Sequence, residues 1–257
     1  MEIENIRIKP VWLKSKEETW AELFEHLDEQ SVKRGLWRRI PAWSYAASLL
    51  IPLLLFCHLY TKTELTARGE HAVVQLPDRS MVTLNAESRL SYKPVEWFLT
   101  RKVRLEGEAF FEVKHGSRFS VLSGSNRTQV LGTTFNVFAR QEAYRVTCLT
   151  GQVEVHVGQE TVVLHPNMMA TLSESVLNIN SHVTPAMATG WIGGMFVFVE
   201  TPLQDVIAEV ERQFNIHVTP TAFPSHSYTG NFSKTENSPE EILEIIGKAF
   251  GITFSVR

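Results

Sequence analysis

Side chains able to do chemistry are few in this chain and widely scattered. Glu106, Glu108 and Glu112 fall close together. Paired carboxylates serve as acid and base when their surroundings push their pKa values apart. On alternate positions of a hairpin turning at Glu106-Gly107, however, these three are expected to face water. Nine histidines are present and none pairs with another at metal-ligand spacing. His156 alternates with Val155 and Val157 and is expected on the solvent side of a strand. The two cysteines, Cys57 and Cys148, are too few for a disulfide framework and are expected as free thiols. No HExxH, GxGxxG, P-loop, CxxC or GxSxG pattern occurs. The expectation is a non-enzyme without metal or cofactor.

The elements around these residues point to a membrane-tethered protein. At 44% apolar and 21% charged the chain is ordinary for a globular protein, and a net charge of −3 gives no footprint for direct nucleic-acid binding. From Ile40 to Thr61 there is no Asp, Glu, Lys or Arg. A helix needs roughly 20 apolar residues to cross the hydrocarbon layer. Trp43, Tyr45 and Tyr60 stand near the two ends, where interfacial aromatics belong. Pro52 interrupts the run, as membrane helices tolerate. A buried core helix is the alternative, against which the run shows no polar stripe. Lys33, Arg34, Arg38 and Arg39 precede it, whereas Lys62 and Arg68 after it are offset by Glu64 and Glu70. The positive-inside rule then keeps residues 1–39 in the cytoplasm and exports the remainder. Leu54-Leu55-Phe56-Cys57 approaches a lipoprotein cleavage box, but bulky Phe56 stands where a small residue is needed.

Residues 1–39 contain one amphipathic helix. Ser15 is its expected N-cap and Glu18 the capping-box partner. Trp20, Leu23, Phe24 and Leu27 recur at helical spacing on one face, and Val11 and Trp12 can extend the apolar surface. Fewer than forty residues do not build an independent core, so the stripe must dock. The polar face carries Glu17, Glu18, Glu22, Glu25, Asp28 and Glu29, which an anionic leaflet would repel. A protein partner with a basic surface fits better.

The exported part reads as two domains. Residues 66–180 are an all-β unit, sandwich- or solenoid-like. Its short strands include Val73–Leu76, Met81–Leu84, Val103–Leu105, Phe110–Val113 and Gln152–Val157. Turns are expected at Pro77-Asp78, Asn85-Ala86, Glu106-Gly107, Thr150-Gly151 and Pro166-Asn167. Residues 191–257 carry an internal repeat of strand, helix and strand, which makes a C-terminal α+β domain of order βαββαβ. Thr201-Pro202 with Gln204, and Ser238-Pro239 with Glu241, each read as a capping box with proline at the first helical position. Asn215 and Gly251 suit left-handed C-caps. Leu203, Val206, Ile207, Val210 and Phe214 form one apolar face; Ile242, Leu243, Ile246 and Phe250 form the other. The fold class is thus mixed: cytoplasmic helix, one transmembrane helix over 40–61, β domain and α+β domain.

Three segments carry a resemblance: Leu76-Pro77-Asp78-Arg79-Ser80-Met81-Val82-Thr83-Leu84-Asn85-Ala86-Glu87-Ser88; Val103-Arg104-Leu105-Glu106-Gly107-Glu108-Ala109-Phe110-Phe111-Glu112-Val113; and Val130-Leu131-Gly132-Thr133-Thr134-Phe135-Asn136-Val137. In order and spacing they resemble the periplasmic domain of FecR-like anti-sigma factors, and the tail from about Trp191 resembles the family's small C-terminal domain. Arg79 and Asn167 stand where the family usually has glycine, so the first turn is expected to be remodelled. The resemblance implies a single-pass inner-membrane regulator. Its periplasmic part would sense the signalling domain of an outer-membrane TonB-dependent transporter, and its cytoplasmic part would bind an extracytoplasmic-function sigma factor. Trp12, Trp20, Leu23, Phe24 and Leu27 become the expected sigma-binding residues. The C-terminal unit, with edge strands open to pairing, becomes the expected transporter dock. Some family members are thought to cleave themselves at a Gly-Thr bond, which makes Gly132 and Thr133 candidates: the Thr133 hydroxyl would attack the Gly132 carbonyl and water would open the ester. The alternative at that step is a plain strand or bulge. Alternatives for the whole protein are a membrane-tethered periplasmic scaffold or ligand-binding module without a sigma partner, and a tethered carbohydrate-binding or hydrolytic domain.

Overall fold

The structure, a computed structural model, describes residues 14–29, 48, 50, 52, 55, 56, 58–141, 143–173, 176–221 and 226–256. The chain divides into two compact units, Met1–Leu55 and Phe56–Arg257. In the first, α1 (Lys16–Glu29) begins at the expected capping box: Ser15 Oγ accepts from the Glu18 amide at 3.1 Å, and the Ser15 amide donates to Glu18 Oε2 at 2.9 Å. Among the described residues no helix is long and apolar enough to cross a membrane. The expected span over 40–61 lies for the greater part outside them, as do Val11, Trp12 and Cys57.

The second unit opens with thirteen strands in one sheet: β1 (Lys62–Thr66), β2 (Ala72–Gln75), β3 (Met81–Leu84), β4 (Ser88–Tyr92), β5 (Arg101–Glu112), β6 (Phe119–Ser123), β7 (Asn126–Val130), β8 (Thr134–Arg140), β9 (Ala143–Thr150), β10 (Val153–Val157), β11 (Glu160–Leu164), β12 (Met168–Ser173) and β13 (Val176–Asn180). The sheet curls as a half-barrel over a single apolar core, and β5 is its spine. Residues 103–106 of β5 pair with β4 while 101–104 pair with β6; the second half pairs with β3 and β8. Apolar residues on alternate positions, Val103, Leu105, Ala109 and Phe111 among them, point inward. Phe111 stacks on Phe135 with ring centroids 5.0 Å apart, and Phe119 meets Phe111 edge-on at 6.1 Å.

Here the hairpin expected at Glu106-Gly107 is overturned. The two short strands predicted on either side of it are one strand of 12 residues. Gly107, at φ 106°, bends the strand instead of reversing it. A Cβ on Gly107 would stand 2.4 Å from Ser88 Oγ and 2.7 Å from Ser88 Cα, so only glycine lets β4 approach. The first turn holds its arginine in a left-handed conformation. Arg79 stands at φ 65° and the Leu76–Ser80 turn closes around it, with Asp78 accepting from the Ser80 amide at 3.0 Å. Asn167 does the same at φ 66°.

The C-terminal domain follows as α2 (Pro185–Thr189), a 3-10 turn (Gly190–Gly193), β14 (Met195–Pro202), α3 (Leu203–Phe214), β15 (Val218–Pro220), β16 (Ser227–Ser233), α4 (Pro239–Phe250) and β17 (Phe254–Val256). From β14 onward the order is βαββαβ. The strands pair as two separate antiparallel ribbons, β14 with β16 and β15 with β17. Both helices bury the expected faces, with Val206, Ile207, Val210, Ile242, Leu243 and Ile246 in one core beneath Phe196, Phe198 and Trp191. Asn215 and Gly251 are left-handed C-caps at φ 53° and 68°. The second capping box is present, with Ser238 and Glu241 bonded reciprocally at 3.0 and 3.2 Å. The first is absent: α3 starts one residue later than expected, Pro202 is its N-cap, and the Thr201 hydroxyl turns back to the Val199 carbonyl. The Leu203 amide is satisfied by the carbonyl of His226, the residue just before β16, at 3.1 Å, so a partner distant in sequence replaces the cap.

Candidate functional site

Three places carry the functional expectations. On α1, Trp20, Leu23 and Phe24 are 49%, 51% and 63% exposed, an unusual placement for large apolar side chains. The Trp20 and Phe24 rings lie 5.9 Å apart along one face. The Leu27 side chain and Trp12 lie outside the described residues. Glu17, Glu18 and Glu25 are exposed beside the stripe, and Glu22 takes an ion pair from Lys14.

The Gly132-Thr133 step lies between β7 and β8. Thr133 is buried and its hydroxyl donates to the Gln152 carbonyl at 3.0 Å, while the Thr133 carbonyl accepts from the Val113 amide. A Cβ at Gly132 would come within 2.6 Å of His115 Cα, so the glycine is required by a close backbone approach.

The third place was missed from sequence: the junction at which the C-terminal domain closes on the β domain. Glu108 was expected in water beside Glu106 and Glu112. Those two are exposed, but Glu108 is buried, because α3 covers this part of β5. Asn85 Nδ2 donates to Glu108 Oε2 at 2.7 Å and Asn136 Nδ2 donates to Oε1 at 2.8 Å. From α3, Gln213 Nε2 reaches Asn85 Oδ1 at 2.7 Å and Glu209 Oε1 at 2.8 Å. Glu209 also accepts from Arg212 at 2.8 Å. The Gly69 amide donates to the Arg212 carbonyl, Lys234 Nζ reaches the Gly69 carbonyl, and His71 bonds Gln213 and meets the Trp191 ring edge-on at 5.2 Å. Phe110 of β5 packs into the C-terminal core.

The electrostatics divide the two carboxyls. Burial, reinforced by nearby Glu209, pushes Glu108 above the usual carboxylate range. Burial also works against Glu209, but Arg212 and Arg140 outweigh it and hold that carboxyl below its ordinary value. Burial lowers His71. A sequence signal for the junction existed in Phe110, an apolar residue on the nominally outward row of β5, where a solvent-facing row should be polar.

The other chemistry-bearing residues serve the fold. His156 bonds Thr161 at 3.0 Å and Gln129 at 3.2 Å on the outer face of the sheet. Cys148 is a free, buried thiol with its pKa pushed up to about 11 by burial. Among the described residues no cluster of His, Cys, Asp or Glu can hold a metal ion.

Known proteins agree with this architecture. The profile of the FecR protein family matches residues 62–154, and that of the FecR C-terminal domain matches residues 195–257. No curated protein matches the chain. Two crystal structures of a candidate anti-sigma factor from Parabacteroides distasonis ATCC 8503 are similar. The one at 2.50 Å resolution is 30% identical, with 76% of this chain and 93% of that chain covered and a TM-score of 0.67. The one at 1.65 Å is 29% identical, with 76% and 98% covered and a TM-score of 0.69. With the β domain and the C-terminal domain matched in order, the chain belongs to the FecR family and is a FecR-like anti-sigma factor.

Proposed function

We propose that this anti-sigma factor is a single-pass inner-membrane protein. Its N-terminal segment binds an extracytoplasmic-function sigma factor, and its two exported domains relay a signal from an outer-membrane TonB-dependent transporter. The observation that carries the sigma-binding reading is α1: a capped helix with Trp20, Leu23 and Phe24 exposed in a row and acidic side chains beside them. A helix of this kind gains stability by laying its apolar face in a partner's groove. Its acidic flank suits the basic surface of a DNA-binding factor, and the leaflet would repel it. The membrane reading rests on the charge-free run from Ile40 to Thr61 and its basic N-terminal flank. Aromatic anchors of this type often cost about 2 kcal/mol or more each when truncated. The double variant Trp20→Ala with Phe24→Ala in the full chain should therefore release the sigma factor in co-purification and change transcription of its regulon. Wild-type retention by the double variant would place the contact elsewhere.

A further inference from the structure

Among the described residues, the two most exposed large apolar side chains of the second unit, Phe98 and Leu99, are adjacent on one short turn. Between β4 and β5, Phe98 is 96% exposed, Leu99 87% and Val95 47%. This turn is not a loose loop. Trp97, in its middle, is buried, with its ring 5.6 Å from Tyr92 and 6.0 Å from Phe119. The Leu99 and Thr100 amides both donate to the Glu96 carbonyl at 2.9 Å. Burying one aromatic as a root and holding two neighbours in water costs free energy unless something apolar receives them.

Two observations say what receives them. The first is continuity with the apolar run. His58 Nδ1 lies 2.7 Å from Glu96 Oε1, so the last helical turn of that run touches the tip itself. In that turn Phe56 and Leu59 are 66% and 72% exposed, and β1 then starts with Lys62 paired opposite Tyr92, the last residue of β4. The tip and the described residues 56 and 58–60 therefore meet the same surroundings. The second is charge. Lys102, Lys114 and Arg118 are exposed around this end of the sheet. The loop carrying Lys114 and Arg118 is held there by Arg101, whose guanidinium donates to the Lys114 carbonyl at 2.8 Å and to the Ser117 carbonyl at 2.5 Å. Three carboxylates nearby are paired: Glu96 with Lys93 at 3.0 Å, Glu64 with Lys62 at 2.9 Å, and Asp78 with Arg101. An apolar wedge rimmed by basic residues is the pattern of a surface that enters an anionic bilayer.

We infer that Val95, Phe98 and Leu99 form a lipid-inserting wedge that seats the β domain on the exported face of the bilayer, beside the point where the chain leaves it. The inference rests on the reading of residues 40–61 as a membrane span. The occupant is the lipid itself, phosphatidylglycerol-type headgroups around acyl chains. Seated there, the β domain would hold a fixed height and orientation, leaving the C-terminal domain as the part free to be engaged.

The test uses the full chain with Cys57→Ser, reconstituted in vesicles of phosphatidylcholine and phosphatidylglycerol. An environment-sensitive fluorophore is placed through Phe98→Cys, or through Ser125→Cys on the exposed turn at the opposite end of β6. The label at position 98 should emit at shorter wavelength and be quenched by a lipid carrying its quencher at a shallow acyl position, about 5–10 Å deep. The label at 125 should report water. Adding Val95→Asp and Leu99→Asp should return the label at 98 to water. Alkaline extraction of the same vesicles reports the span separately. A chain that resists extraction while the label at 98 reports water overturns the wedge and leaves the span standing. An extracted chain whose label is still quenched supports the wedge and removes the span. Extraction together with a water-like label overturns both.

Discussion

Glu108 and Glu209 have the same side chain and opposite roles, set by what surrounds each. Glu108 is buried close to Glu209, and the bonds it accepts from the Asn85 and Asn136 amides do not offset this, so ionisation is unfavourable there. A group with a raised folded pKa stabilises the fold below its ordinary pKa and loses that contribution as pH rises through the folded value. Glu209, bonded to Arg212, behaves in reverse: its contribution is present above the ordinary carboxylate value and is lost as pH falls through its lowered folded value. Glu108→Gln should thus cost within about 1 kcal/mol at neutral pH and remove the fall in stability on the alkaline side. The Asn136 Oδ1 atom, buried without a partner, can turn to accept from the new amide. Glu209→Gln leaves Arg212 without its bonded counter-charge and should cost about 3–5 kcal/mol. Denaturant unfolding of the three proteins across pH decides it; equal costs for the two variants would mean the carboxyls are equivalent.

At the scale of elements, the long spine β5 does the organising. One strand serves both halves of the curled sheet because Gly107 bends it without breaking its pairing. Ser88 then bridges the bend, accepting the Glu108 amide on Oγ at 3.0 Å. Gly107→Ala combines a positive φ with a collision against the Ser88 backbone, and overpacking of that kind adds about 1–3 kcal/mol to the conformational cost. Gly124→Ala is the matched control: its φ is +59° but no atom lies within 4 Å of the added Cβ, so only the strain of about 1 kcal/mol applies. The midpoint of urea unfolding should therefore drop well further for Gly107→Ala than for Gly124→Ala. Similar drops would mean that backbone strain alone sets the cost and that the approach of β4 does not matter.

For the molecule as a whole, the consequence of the junction is that the β domain and the C-terminal domain are not independent modules. The C-terminal domain covers Glu108 and Phe110 and supplies Gln213 to Asn85. Truncation after Pro185 removes α3, so it should expose Phe110 and hydrate Glu108. The truncated chain should bind more of a hydrophobic dye than the full chain does and, on the proposed function, keep its membrane attachment and lose its response to the outer-membrane signal. Sustained signalling by the truncated chain would move the proposed transporter contact onto the β domain; no increase in dye binding would mean that the junction buries little on its own.

What the sequence by itself determined were features decided over a few residues or by direct periodicity. These are the capping boxes at Ser15 and Ser238, the left-handed caps at Asn215 and Gly251, the buried faces of α3 and α4, the βαββαβ order and the family signature segments. Each depends on neighbours within about one helical turn or strand repeat, so the local pattern contains the cause. Tertiary structure alone decided three others. Whether Glu106-Gly107 turns or bends depends on Ser88 of a different strand. Whether Thr201 caps α3 depends on the His226 carbonyl, which displaces it. Whether Glu108 meets water depends on α3, about a hundred residues further along the chain. In all three the deciding atom is distant in sequence, and a pattern of period two or 3.6 reports which face a side chain occupies but not what will cover that face.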